Sequence, residues 1–87
     1  MNRSPRMEIT VYLLGTGDPD VSEHVSRILG ILDRCDLPFE VTTMGTIIEG
    51  PIDKLFPLAR RLHDSVLSGS AGRVVTMIKI DDVRGDV

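Results

Sequence analysis

Hydrophobic period restricts this chain's fold more than any other feature, because the sequence reads as six segments in which periods of two and 3.6 succeed one another. Met7 to Leu14 alternates, with Ile9, Val11 and Leu13 on one side and Glu8, Thr10, Tyr12 and Leu14 on the other. From Val21 to about Asp36 the apolar residues Val21, Val25, Ile28, Leu29 and Leu32 form a single helical stripe. Alternation returns at Phe39–Thr43 and again at Thr46–Gly50. A second helical stripe follows, through Ile52, Leu55, Phe56, Ala59, Leu62, Val66 and Leu67. Arg73 to Asp81 alternates once more, with Val74, Thr76, Ile78 and Ile80 opposite Val75, Met77, Lys79 and Asp81.

The order strand, helix, strand, strand, helix, strand makes each helix a crossover between parallel strands, and such crossovers are right-handed. Two of them interleave into an α+β, ferredoxin-like βαββαβ sandwich. Its antiparallel sheet has the order 4-1-3-2, with both helices on one face. The expected domain spans residues 7–82, after a polar lead-in at 1–6 and before a short tail at 83–87; Met7 is a candidate start. Eighty-seven residues place one core near the lower limit of sufficiency. The helix-free face, carrying Thr10, Tyr12, Thr42, Ile47, Glu49, Met77 and Lys79, is apolar at its middle. It is therefore expected to be covered by sister subunits.

The segment Thr42–Gly50 reads as a tight hairpin. Met44-Gly45 is the expected two-residue loop, with Gly45 supplying the positive φ. In that register Thr43 faces Thr46, Thr42 faces Ile47, Val41 faces Ile48 and Glu40 faces Glu49. One face then carries Val41, Thr43, Thr46 and Ile48, and the other Glu40, Thr42, Ile47 and Glu49. The second face mixes hydroxyl, aliphatic and carboxylate groups, as a site for a small polar ligand would; a plain surface hairpin shows the same pattern.

Several residues are read as structural. Gly15-Thr16-Gly17-Asp18-Pro19 lacks the third glycine and the lysine of phosphate-binding loops, and Asp18 and Asp20 repel anions, so it is read as a turn. Asp20 and Glu23 have capping-box spacing. Leu37-Pro38 ends the first helix. Pro57 is expected to delay the second helix to Asp53 or beyond, or to bend it. His24, Arg27 and Arg34 lie off the first stripe and are assigned to solvent, His63 is expected half-buried and hydrogen-bonded, and Cys35 is a packed thiol.

No nucleophile–base pair and no metal-spaced cluster is visible among His24, Cys35 and His63. A net charge of −3 and one tyrosine disfavour nucleic acid. No run approaches the roughly 20 apolar residues of a membrane span. A single cysteine suits a reducing, cytoplasmic setting.

The chain resembles the small thiamine-binding proteins, whose tandem-domain relatives are the YkoF-like proteins. The resemblance rests on Leu14-Gly15-Thr16-Gly17, on Met44-Gly45-Thr46-Ile47-Ile48-Glu49-Gly50, and on Arg73-Val74-Val75-Thr76 running into Ile78-Lys79-Ile80-Asp81-Asp82. His63 also stands where that family often has histidine. Together these cover Met7 to Arg84. Leu13, Met77 and Pro57 depart from the family pattern. The resemblance implies a ferredoxin-like subunit assembling as a dimer of dimers, hence a homotetramer. It also implies a protein that binds thiamine or its hydroxymethylpyrimidine half, without known chemistry and without a required cofactor.

An aminopyrimidine offers an amino donor and ring-nitrogen acceptors. Thr10, Thr42, Thr43 and Thr46 are candidate partners for these, as are backbone groups of the turn. Tyr12, Met44 and Ile47 are candidate flat walls. Glu49 is a candidate for the amino group or the thiazolium charge. Alternatively, Glu49 and Lys79 form a structural pair at a subunit contact. Two function classes follow: a non-enzymatic carrier or sensor of that ligand, or a regulatory or structural oligomerisation module that binds no thiamine.

Overall fold

The computed structural model describes residues 4–14, 22–67 and 72–84, with only the backbone described at residues 22 and 23. The expected turn at Gly15–Asp20, the Asp20/Glu23 capping pair and the loop from Ser68 to Ala71 lie outside the described residues. The elements are β1 (Arg6–Leu14), α1 (Ser22–Asp33), β2 (Phe39–Thr42), β3 (Gly45–Glu49), α2 (Ile52–Leu67) and β4 (Arg73–Asp81). Their sheet order is β2-β3-β1-β4 and every pairing is antiparallel. This is the expected 4-1-3-2 sheet, read from its other edge, in a ferredoxin-like α+β fold.

β1 is central because it is apolar enough to be flanked on both sides. It pairs with β4 from Arg6 to Leu14 but with β3 only from Arg6 to Ile9. The far half of β1 therefore runs with β4 past the tip of the β2–β3 hairpin. Met7, Ile9 and Ile48 point to the helix side, where they meet Leu32 of α1 and Leu55, Leu58, Ala59 and Leu62 of α2.

α2 follows the expected stripe, with two exceptions. Phe56 and Leu67, at its margin, are 55% and 46% exposed and lie outside the core. Helical structure begins at Ile52, where the Pro51 carbonyl accepts the N–H groups of Lys54 and Leu55, and continues through Pro57 to Leu67. The expected late start does not occur, and the helix is continuous through Pro57. A helical proline costs about 3 kcal/mol, but the four large side chains that α2 buries contribute roughly 1.5–3 kcal/mol each. Pro57 itself is exposed.

α1 departs further from expectation. It ends at Asp33, about three residues early, and the chain leaves through Arg34 N–H to Ile31 O and Cys35 N–H to Leu32 O. Asp36 then takes φ 58°, so the reversal happens before Pro38 is reached. His24, assigned to solvent by the sequence, is only 5% exposed. Val25 and Leu29, assigned to the core, are 48% and 38% exposed. The helix is rolled so that His24, Ile28 and Leu32 form its inward line. The cause is its partner: α1 packs chiefly on α2 rather than flat on the sheet.

Candidate functional site

The hairpin turn is built differently from the sequence expectation. Phe39 pairs with Ile48, Glu40 with Ile47, Val41 with Thr46 and Thr42 with Gly45. The loop is therefore Thr43-Met44, not Met44-Gly45. Among the described residues only Asp36 and Gly45 have positive φ, so Thr43 and Met44 turn at negative φ. Gly45, at φ 152°, absorbs the reversal as the first residue of β3. A slip of two residues leaves every side chain of the two strands on its expected face. Thr43 passes from strand to loop and Gly45 from loop to strand.

Thr42 organises this turn. Its hydroxyl donates to Gly45 O at 2.6 Å and accepts the N–H groups of Met44 and Gly45 at 3.2 and 3.1 Å. The Thr10 hydroxyl on β1 donates to Met44 O at 3.1 Å, which ties the hairpin tip to the central strand. The turn's backbone groups, offered by the sequence as ligand partners, are thus already engaged. Thr43 and Thr46 differ from the other two threonines, since neither hydroxyl has a hydrogen bond among the described residues.

A groove of about 260 Å³ opens beside the turn, on the helix side of the sheet. Thr42, Thr43, Met44 and Thr46 line it from the hairpin. Its walls are Val41 of β2 and Val25 and Leu29 of α1, and its floor includes Ile9 and Leu62. Among the described residues no charged side chain borders it. The roll of α1 creates this space, because the helix leaves the hairpin corner uncovered and turns Val25 and Leu29 toward the opening.

The nine candidate residues do not converge on one site. Thr10, Thr42, Thr43, Met44 and Thr46 meet at the groove. On the opposite face, Thr10, Tyr12, Met44 and Lys79 border a depression of about 310 Å³ with Glu8 and Met77. Ile47 and Glu49 line a third hollow, beside Arg6 and Glu40. Glu49 and Lys79 do not pair with each other. Arg6 Nε lies 3.9 Å from Glu49 and Lys79 Nζ lies 3.8 Å from Glu8, both as cross-strand neighbours on β1. Both pairs are well exposed and contribute little to stability.

Sequence reasoning missed Val25, Leu29 and Val41 as walls. The available signal was the width of the first stripe, which holds more apolar residues than one helix face buries. His63 is where it was expected, half-buried, with Nδ1 sharing a hydrogen bond of 2.6 Å with Thr76 Oγ1. Among the described residues no group of three His, Cys, Asp or Glu side chains could hold a metal. No described helix is long and apolar enough to cross a membrane.

The model of the family described as thiamine-binding protein matches residues 7–87. A UPF0045 protein of Methanothermobacter thermautotrophicus is 35% identical over 78 residues, covering 88% of this chain and 79% of its own. The UPF0045 protein YqgV of Bacillus subtilis is 32% identical over 81 residues, covering 88% and 78%. The crystal structure of the hypothetical protein MJ1052 from Methanocaldococcus jannaschii superposes with a TM-score of 0.83 at 29% identity, covering 98% of this chain and 86% of that one.

Proposed function

Since the chain belongs to the thiamine-binding protein family, we propose that it is a non-enzymatic binding protein for thiamine or its hydroxymethylpyrimidine half, acting as an oligomeric carrier or sensor in the cytoplasm. The observation that carries this reading is the groove beside the hairpin turn, whose described lining is largely apolar and includes two threonine hydroxyls with no hydrogen bond among the described residues. Such a site suits a flat heteroaromatic ring, which needs apolar walls and a few hydrogen-bonding groups.

Calorimetry and thermal melts with thiamine and with hydroxymethylpyrimidine test it. A ligand held at 100 times its Kd stabilises the fold by about 2.7 kcal/mol. For a domain of this size that raises Tm by roughly 10–20 °C. Absence of both heat and shift with either compound would leave the regulatory or structural module as the better reading.

The helix-free face supports self-association. Tyr12 and Met77 are about half exposed there, at 50% and 51%, and Leu14 is 41% exposed. We expect a homo-oligomer, a dimer of dimers, sealed through this face. Sedimentation at micromolar concentration checks it: a monomer alone would remove the assembly from the proposal.

A further inference from the structure

We propose that the outer edge of β4 is a docking surface for a second copy of this chain. The copy pairs with it antiparallel about a two-fold axis at Met77 and joins the two sheets into one. This goes beyond the self-association read from the helix-free face, because it uses a different surface and neither contact requires the other.

The two rims of the sheet are built differently. Among the described residues β4 is flanked by β1 alone. The opposite rim, β2, is only four residues long, whereas β4 has nine, all matched to β1 without a bulge. Short strands, bulges, prolines and charges are the means by which proteins keep an edge from pairing. β4 contains no proline and no glycine. Lys79 is the one charged residue between its ends, and its ammonium lies 3.8 Å from Glu8 of β1, drawn back over the sheet. The middle of the strand is open on both faces. Met77 is 51% exposed on the helix-free side, and Ile78 is 42% exposed on the helix side. Ile78 is the register partner of the buried Ile9, so its exposure comes from its place on the outermost strand, not from facing away from the helices.

Charge selects the occupant. With the axis at Met77, Arg73 stands opposite the second copy's Asp81, and Asp81 opposite its Arg73, so both ends of the ladder carry an opposite-charge pair. Between them Val74 meets Ile80, Thr76 meets Ile78, Val75 meets Lys79, and Met77 meets itself. Every pair lies on matching faces, because strand side chains repeat every two residues. Moving the axis to Thr76 would set Arg73 against Lys79, two like charges. Moving it to Ile78 would leave Arg73 opposite Val83 and Asp81 opposite Val75. The helices permit the pairing. α2 lies over β1 and β4, so α2 and its copy would stand about two strand spacings apart, ~10 Å, where helices touch without clashing. An isologous contact of this kind closes on itself as a dimer.

The test is sedimentation of the whole chain at micromolar concentration and low salt, with thermal melts confirming that each variant folds. Ile78→Lys puts a charge at the centre of the joint, on the side that a partner on the helix-free face cannot reach. It is expected to halve the mass of the assembly, through a loss of at least ~10-fold in affinity at this edge. Arg73→Asp and Asp81→Arg each set like charges against each other at both ends, and each should weaken the contact about five- to thirtyfold. An equimolar mixture of those two variants restores opposite charges at both ends and should return the affinity to within about threefold of the parent. Asp81→Arg also faces Arg6 in its own subunit, a cost that mixing does not relieve, so the recovery reads the joint alone. A mixture no tighter than its components, or a mass unchanged by Ile78→Lys, would overturn the proposal and leave assembly through the helix-free face standing. A monomeric parent would remove both contacts, and none of these results bears on ligand binding.

Discussion

Gly45→Ala is expected to lower stability by about 2–4 kcal/mol, a large share of the ~5–15 kcal/mol that holds a domain together. Two costs combine. At φ 152° the backbone of Gly45 lies where L-residues are strained, by roughly 1–3 kcal/mol. A Cβ there would also sit 2.6 Å from Thr10 Oγ1 and 3.2 Å from Ile9 O. The hydroxyl must then move, and its bond to Met44 O, worth about 0.5–1.5 kcal/mol, is lost. At 4–8 °C per kcal/mol, Tm should fall by roughly 10–25 °C. Thr10→Ala removes the colliding oxygen, so the double variant should cost less than the sum of the two singles, with a coupling of about 0.5–3 kcal/mol. A Gly45→Ala protein that melts within a few degrees of the parent would mean that the hairpin tip does not lie against β1.

The same glycine shows what the sequence could and could not disclose. Its need for an unusual φ was legible, but the sequence suggested the wrong reason for it. Gly45 looked like a loop residue, whereas it is the first residue of β3, where the chain must pass close beside Thr10. The hydroxyl of Thr42, able to accept two N–H groups across a short loop, was the better marker of the turn. The faces survived the error because strand side chains repeat every two residues, and the slip was two. Strand order was legible for a similar reason: the sequence of periods leaves few ways to bury two helical stripes and four strands.

The roll of α1 was not legible. A line through Val25, Leu29 and Leu32 and one through His24, Ile28 and Leu32 differ by about one residue's rotation, and the apolar residues nearly satisfy both. What decides is packing on α2, a contact between residues distant in sequence. The candidate site depends on the same contact. The threonines and Met44 near the turn were identified from local pattern. The side of the sheet on which they meet depends on where α1 fails to cover the hairpin, which no local pattern encodes. Tyr12, Ile47, Glu49 and Lys79 were grouped with them by strand parity alone, and the structure distributes those four over the helix-free side.

Leu62→Ala tests both the core and the groove that borders it. Leu62 is 1% exposed, packs in the central cluster and also forms part of the groove floor. Removing a buried leucine side chain costs about 2–5 kcal/mol, more where the surroundings cannot collapse into the gap. Here β1 and α2 hold the floor on both sides, through Ile9 and Leu58 among others, so closure is limited and a loss near 3 kcal/mol or above is expected. The vacated space joins the existing groove, which deepens and loses apolar contact with whatever ring enters. Ligand affinity should therefore fall together with stability. Phe56→Ala is the matched control, because Phe56 belongs to the same expected stripe yet is 55% exposed; it should change stability by less than about 1 kcal/mol. Urea unfolding of both variants reads the difference. If Phe56→Ala proves as costly as Leu62→Ala, α2 presents a different side to the sheet, and the groove floor described above does not exist in that form.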